Sequence, residues 1–391
     1  MKIVLLTNIL SPYRKTFYDK LYFGFKANGD DFHVLVMAPS EPGRKWTYEM
    51  YKGEYTTLLP HRTIHIGSYY IHVNSGLKNI IKEIEPDIVI GAGSYTFPSV
   101  WEVILLRKSM SYKLLFWSES HLDEQRKQEK IVLSIRNKIR SIIYSRFDGF
   151  WYAGEKSLDL IKQYCREDCN YIFVPNLVDK EAFSSAGSIP KSVRDEISQK
   201  LNLSASKIKF IIPSRLIEVK GIIPFLNLVK DNSDISKVTI LIVGDGNLHD
   251  DIIQTASNYN IDVRLLGYKE QDELIKLYSI SDVFLLPSLS DANPLTCVEA
   301  IWAGLPVFVS KHVGNFPEIV SEGENGYVFD YSDPIRANEL FSKLINNTEE
   351  WYKNAILTSQ EIAKKTYDPD SSVQRIINEL KKYYNKGKVI K

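Results

Sequence analysis

The stretch Val238-Thr239-Ile240-Leu241-Ile242-Val243-Gly244-Asp245-Gly246-Asn247 decides the fold. Its first part is apolar except for Thr239 and rich in β-branched residues. A run of this kind is a strand buried on both faces, the pattern of a parallel sheet. The glycines that follow allow a tight turn and a close backbone approach. Outward from this stretch the same alternation repeats. Short apolar runs occur at Ile208–Pro213, Val263–Leu266, Val283–Leu286 and Pro306–Val309. Earlier runs lie at Ile3–Leu6, Phe32–Met37, Asp87–Ile90, Lys113–Trp117 and Gly149–Tyr152, with segments of helical period between them. The pattern predicts βα units throughout, an α/β fold.

A chain of 391 residues exceeds one ordinary domain. Phe173-Val174-Pro175-Asn176-Leu177-Val178-Asp179 closes one α/β series, and a polar stretch runs from Ser184 to Ser206. The expected domains are 1–178 and 207–368, with 369–391 as a C-terminal helix. Its apolar stripe (Val373, Ile376, Ile377, Leu380 and Tyr383 or Tyr384) is expected to pack back toward the N-terminal domain.

Hydrophobic residues make up 44% and charged residues 25%, an ordinary globular balance, and the net charge of +1 offers no global field for nucleic acid. Cys165, Cys169 and Cys297 form no disulfide framework and no zinc pattern, as expected for free thiols in the cytoplasm. The apolar run at the N-terminus breaks at Thr7-Asn8, so it reads as a strand and not as a signal peptide. No stretch reaches the ~18 apolar residues that span a membrane.

In the second half, four features each follow a strand, where open parallel sheets bind ligands. Arg215 and Lys220 flank the loop Pro213–Gly221, and two cations there can neutralise a diphosphate without a metal. The alternative is two solvated surface cations. Gly244 and Gly246 follow the next strand; a plain turn is the alternative, and the spacing is not a nicotinamide-cofactor fingerprint. Gly267-Tyr268 follows a third, placed to hold a nucleobase through its backbone. Last comes Pro287-Ser288-Leu289-Ser290-Asp291-Ala292-Asn293-Pro294-Leu295-Thr296-Cys297-Val298-Glu299-Ala300. Pro294 suits the first turn of a helix and Gly304 its end, so the amides of Leu295 and Thr296 make an anion site. Glu299 lies inside an otherwise apolar helix and needs a partner, either a ribose diol or an internal hydrogen bond.

These residues resemble the retaining GT-B glycosyltransferases of family 4. The resemblance rests on Arg215…Lys220-Gly221, Gly244-Asp245-Gly246, Asp291-x7-Glu299, Ala303-Gly304-Leu305-Pro306-Val307 and Gly314-Asn315-Phe316-Pro317-Glu318-Ile319-Val320. It is strong over 210–330 and extends weakly to Pro175–Asp179. It implies a GT-B fold, two Rossmann-like domains facing across a cleft, with a nucleotide diphosphate sugar in the second. It also implies retention of anomeric configuration and no bound metal or other cofactor. In that scheme Arg215, Lys220 and the helix amides hold the diphosphate, Glu299 the ribose and Asp291 the sugar hydroxyls, with Gly244, Gly246, Gly267, Tyr268 and Asn293 completing the donor site. Two departures stand out. Asp291 replaces the family's glutamate, and Asp-Ala-Asn-Pro replaces Glu-Gly-Phe-Gly.

In the first half, the loop holding Ser11 and Arg14 follows the first strand, and by resemblance it faces the acceptor or a phosphate. Trp117-Ser118-Glu119-Ser120-His121 follows another strand, and the resemblance makes His121 the first candidate for a catalytic group, Glu119 the second. His33, His61, His65, His72, His249 and His312 have no such context. From Arg126 to Arg146, Arg126, Lys127, Lys130, Arg136, Lys138, Arg140 and Arg146 stand against the one acid Glu129, with Ile131, Val132, Ile135, Ile139, Ile142 and Ile143 at helical spacing. This is either a basic amphipathic helix for an anionic membrane or a surface helix with its apolar face in the core.

The expected function is transfer of a hexose or N-acetylhexosamine, from a UDP-sugar first of all, to a saccharide or lipid-linked saccharide. The expected place is the cytoplasm, peripheral at the inner face of the cell membrane, in surface polysaccharide or glycolipid synthesis. A sugar-nucleotide epimerase of the same shape and a non-catalytic binding protein are the rivals.

Overall fold

The structure, a computed structural model, describes residues 1–41, 47–66, 69–121 and 130–386. It divides into two compact units, Met1–Leu177 with Pro369–Lys391, and Val178–Asp368.

The first unit is built on strands β1 (Lys2–Thr7), β2 (Asp31–Val36), β3 (Thr56–Leu58), β6 (Ile88–Ala92), β7 (Lys113–Ser118), β8 (Gly149–Tyr152) and β9 (Asn170–Phe173), all parallel, in the order β3-β2-β1-β6-β7-β8-β9. Strands β4 (His61–Ile66) and β5 (Tyr69–Asn74) form a separate antiparallel hairpin. The strand order reverses at β1, which pairs with both β2 and β6. Helices α1 (Pro12–Ala27), α3 (Leu77–Ile84), α4 (Pro98–Leu106), α5 (Lys130–Tyr144) and α6 (Glu155–Tyr164) connect the strands, and α2 (Tyr48–Tyr51) is a single turn. The steps from β6 to β9 all run the same way, so right-handed crossovers place α4, α5 and α6 on one face. Val100, Val103, Ile143, Tyr144 and Ile161 from these helices share a core with Val89, Leu114, Phe116 and Phe150 of the sheet.

Helix α16 (Pro369–Lys386) belongs to this unit and packs along α1. Val373, Ile376, Ile377, Leu380 and Tyr383 are buried. Gly24 lets the helices approach, since a Cβ there would lie 2.6 Å from Ile377 Cδ1. Tyr384 instead turns its hydroxyl to donate to Asp87 at the lower end of β6.

The second unit has a parallel sheet in the order β12-β11-β10-β13-β14-β15. Its strands are β10 (Ile208–Pro213), β11 (Val238–Val243), β12 (Val263–Leu265), β13 (Val283–Leu286), β14 (Val307–Ser310) and β15 (Gly326–Phe329). The reversal falls between β10 and β13, where Phe210 pairs with Val283. Between and after the strands run α9 (Ile222–Val229), α10 (His249–Asn258), α11 (Gln271–Ser279), α12 (Leu295–Trp302), α13 (Phe316–Ile319), α14 (Pro334–Ile345) and α15 (Glu349–Tyr367). The polar stretch between the two expected domains is structured and belongs here. Asp179 caps α7 (Lys180–Ser184) by accepting from the Ala182 amide, and α8 (Lys191–Lys200) follows. The break in the chain's contacts therefore falls at Leu177, before the polar stretch and not within it.

Helix α5 does not lay its apolar stripe in the core, as the second reading of its sequence expected. Ile135, Ile139 and Ile142 are 57%, 44% and 50% exposed, while Arg140 is only 2% exposed. Its isoleucines divide between two faces, with Ile143 alone among the described ones in the core. Arg126, Lys127 and Glu129 lie outside the described residues. Among the described residues, no helix is long and apolar enough to cross a membrane.

Candidate active site

In the second unit the loops past β10, β11, β13 and β14 are tied together by backbone contacts. The Leu216 amide donates to the Asp245 carbonyl at 2.9 Å, and Gly244 donates to Gly267 at 2.9 Å. A Cβ on Gly244 would lie 2.1 Å from the Ser214 carbonyl oxygen, and one on Gly246 2.3 Å from that of Leu216. These glycines therefore let the Arg215 loop lie against the β11 loop. Gly267 serves by handedness, with φ +69° and only the Asp245 side chain, at 3.7 Å, near its Cβ direction. Tyr268 beside it is 53% exposed.

Gly221 ends the short 3-10 turn Glu218–Lys220, at φ 67°. A Cβ there would meet the Pro287 carbonyl at 2.1 Å. The Tyr331 hydroxyl lies between the Gly221 and Pro287 carbonyls, 3.2 and 2.6 Å away, and so joins the β10 and β13 loops. Leu289 donates to the Val219 carbonyl at 2.8 Å. This stitching places Lys220 Nζ on Asp291 Oδ2. Asp291 is held from behind as well, since its amide donates to His312 and its carbonyl accepts from Gly314 at 2.7 Å.

Two assigned roles thus occupy each other: the cation expected on the diphosphate neutralises the acid expected on the sugar. Arg215 is different. It is exposed on the same loop and has no ion-pair partner among the described residues. Pro294 stands at the N-cap of α12, one position before the first turn expected for it, and Asn315 Nδ2 donates to its carbonyl at 3.0 Å. The amides of Leu295 and Thr296 start the helix, with Asn293 just before the cap. Gly304, at φ 80°, ends it as expected.

Glu299 finds an internal partner that sequence alone does not show. The buried Tyr278, at the end of α11, donates its hydroxyl to Glu299 Oε2 at 3.0 Å. Burial pushes the Glu299 carboxyl up to about 7, against the opposing effect of that hydrogen bond. Burial and the adjacent acid keep the Tyr278 phenol protonated, so it remains the donor. One carboxylate oxygen is left for another donor.

The sign of the pH effect follows. The folded value lies above the unfolded one, near 4.5, so ionised Glu299 destabilises the unliganded fold increasingly as pH rises from about 4.5 through 7. Glu299→Gln should therefore raise unliganded stability by about 2–3 kcal/mol at pH 8, and by almost nothing near pH 4.5. Denaturant melts at the two pH values measure this. Equal effects at both would place the Glu299 titration elsewhere.

In the first unit the C-terminal strand ends hold a second constellation. Ser11 is buried at the N-cap of α1, with its carbonyl accepting from Arg14 and Lys15. Arg14 Nη2 lies 2.5 Å from Glu119 Oε1, and its guanidinium sits 3.9 Å from the Trp117 ring centroid. The residue expected on a phosphate and the second candidate for catalysis are thus an ion pair over an indole. His121 is 1% exposed just past β7.

Sequence reading missed a neighbour of this edge. Glu41 accepts from Asn8 Nδ2, and the fully buried His72 places Nε2 3.7 Å from its Oε1. Burial pushes the Glu41 carboxyl up, but His72, Asn8 and Tyr70 outweigh it and leave it below the usual range. The residues around His72 in the sequence give it no functional context. Its context is the hairpin of β4 and β5, which no local pattern announces. Among the described residues, no three His, Cys, Asp or Glu side chains gather as a metal site.

The two units, each a parallel sheet flanked by helices, have the GT-B fold, and the second gathers a cationic loop, a glycine turn and a helix N-terminus past its strands. Residues 193–358, somewhat under half of the chain, match the family of glycosyl transferases group 1. An uncharacterized glycosyltransferase of Methanocaldococcus jannaschii is 25% identical over 343 residues, 86% of this chain and 85% of that one. The UDP-Gal:alpha-D-GlcNAc-diphosphoundecaprenol alpha-1,3-galactosyltransferase of Escherichia coli is 31% identical over 180 residues, 44% of each chain, so the match spans under half of that relative's length. Among solved structures, HepE of Anabaena in complex with UDP aligns with a TM-score of 0.73 at 16% identity, covering 98% of this chain and all of that one.

Proposed function

We propose that the chain transfers a hexose or N-acetylhexosamine from a UDP-sugar to a saccharide or lipid-linked saccharide acceptor, with retention of anomeric configuration. The observation that carries this reading is Arg215, exposed and without an ion-pair partner among the described residues, on one loop with Lys220, which reaches Asp291 just ahead of the α12 N-terminus. A departing nucleoside diphosphate develops charge there, and donors fixed in advance stabilise the transition state more than the ground state. The arriving diphosphate takes Lys220 from Asp291, and Asp291 then accepts from sugar hydroxyls. Glu299 offers its second oxygen to the ribose. The two cations and the helix dipole supply the positive charge that a divalent ion supplies elsewhere, so transfer proceeds without added metal.

UDP is favoured as carrier because a structural neighbour binds it and one relative is named for a UDP-sugar. That relative is also named for a lipid diphosphate acceptor. Helix α5 fits a membrane-borne acceptor: Ile135, Ile139 and Ile142 are exposed along one line, and Lys138 and Arg146 are exposed with them. Such a helix attaches reversibly to an anionic surface, each cation contributing about 1 kcal/mol. Ile139→Glu should cut co-sedimentation with anionic vesicles several-fold; equal sedimentation of the variant and the parent removes this contact.

The function itself is tested with a panel of UDP-, GDP- and ADP-sugars. The expected result is a thermal shift and slow hydrolysis with UDP-sugars, both surviving EDTA. No shift with any of them contradicts the reading, and complete loss with EDTA contradicts its metal-free step. In productive transfer, the newly formed linkage should keep the donor's anomeric configuration by NMR.

A further inference from the structure

Helix α5 hides a cation. Arg140 is 2% exposed, and no carboxylate among the described residues lies within ion-pair distance. Its Nε and Nη1 are buried without an acceptor. The guanidinium stands 5.5 Å from the Tyr95 ring centroid and 5.3 Å from that of Tyr164. One turn earlier on the same helix, Asn137 Oδ1 is also buried without a donor.

Arginine does not shed its charge at any accessible pH, so burial leaves the charge in place. An uncompensated buried charge is strongly unfavourable. The two tyrosine rings offset part of the cost through their faces. They cannot accept the N–H bonds, which point outward in the guanidinium plane. Those are the directions along which phosphate oxygens are bound in pairs.

We propose that Arg140 is an anion site of the first unit, taking a phosphate or diphosphate group between Tyr95 and Tyr164. Asn137 Oδ1 accepts a hydroxyl or N–H from the same ligand. This deepens the acceptor side of the proposed function and rests on it. The outward line of Ile135, Ile139 and Ile142 gives the same helix an apolar surface, so an amphiphile carrying a phosphate fits both of its faces. The ligand's source is either such a lipid or a free diphosphate.

The test begins with a UDP titration of the parental protein, which by itself decides the donor reading. With UDP then saturating, calorimetry follows inorganic pyrophosphate and farnesyl diphosphate as probes. Both are expected to bind. Arg140→Met should weaken each at least tenfold, and Arg140→Lys should keep part of the affinity. Removing an unpaired buried charge should also leave the unliganded melting temperature of Arg140→Met equal or higher. Tighter binding of the prenyl compound names a lipid as the source, and equal binding names a free diphosphate. Absence of pyrophosphate binding in the parent, or unchanged affinity in Arg140→Met, overturns the proposal. A lower melting temperature with unchanged affinity assigns Arg140 to packing and overturns it too.

Discussion

Lys220→Ala is expected to slow sugar transfer by roughly a hundredfold or more in kcat/KM, the size of effect seen when one fixed donor to a developing anion is lost. Lys220 sits at the end of a 3-10 turn whose position is fixed by Gly221, Tyr331 and the Val219 carbonyl, so its ammonium needs little rearrangement. In the unliganded protein that charge rests on Asp291. The pairing gives the two residues opposite signatures. Without Lys220, the diphosphate loses a charge-assisted contact worth about 1.5–3 kcal/mol, so binding of the free nucleotide weakens. Without the Asp291 charge, Lys220 is released toward the diphosphate. Asp291→Asn should bind nucleoside diphosphate as well as the parent or better, yet transfer more slowly. Parallel losses of nucleotide affinity in both variants would show that the pair acts as one structural unit and not as a switch between partners.

The largest expected stability loss belongs to Gly314→Ala, about 3 kcal/mol or more, or a fall of roughly 6–12 °C in the melting temperature. A Cβ on Gly314 would lie 1.6 Å from the Ala292 carbonyl oxygen and 2.6 Å from its carbon. Both are backbone atoms, so no side chain can yield. The Gly314 amide donates to the Asp291 carbonyl, which ties the strain directly to the acid. The variant should therefore lose transfer well below its melting temperature. A calorimetric scan checks the first part, and an unchanged midpoint would mean that the loop shifts without strain.

Much of this arrangement is legible in the sequence because periodicity and glycine placement are local. The runs at Ile208, Val238, Val283 and Gly149 open on the strands themselves, and Gly304 closes α12 where expected. Five strands leave no such trace, among them β9, which opens on Asn170 and Tyr171. β3 is short, β4 and β5 alternate His, Arg and Tyr with apolar residues, and β15 begins at a glycine. Partners are hidden for a different reason. The Tyr278 hydroxyl on Glu299, the Arg14 pair with Glu119 and the His72 contact with Glu41 join residues far apart in the chain, and no spacing rule connects them. The inward turn of Arg140 is hidden too, because a helical pattern marks an apolar stripe without saying which stripe is buried.

The central claim is that the second unit holds a nucleoside diphosphate through Arg215 and Lys220. A titration of UDP into the parental protein and into Arg215→Ala with Lys220→Ala combined tests it most directly. Two charge-assisted contacts are removed together, so affinity should fall by roughly a hundredfold or more while the fold, followed by circular dichroism, is kept. Equal affinity in the parent and the double variant would contradict the claim.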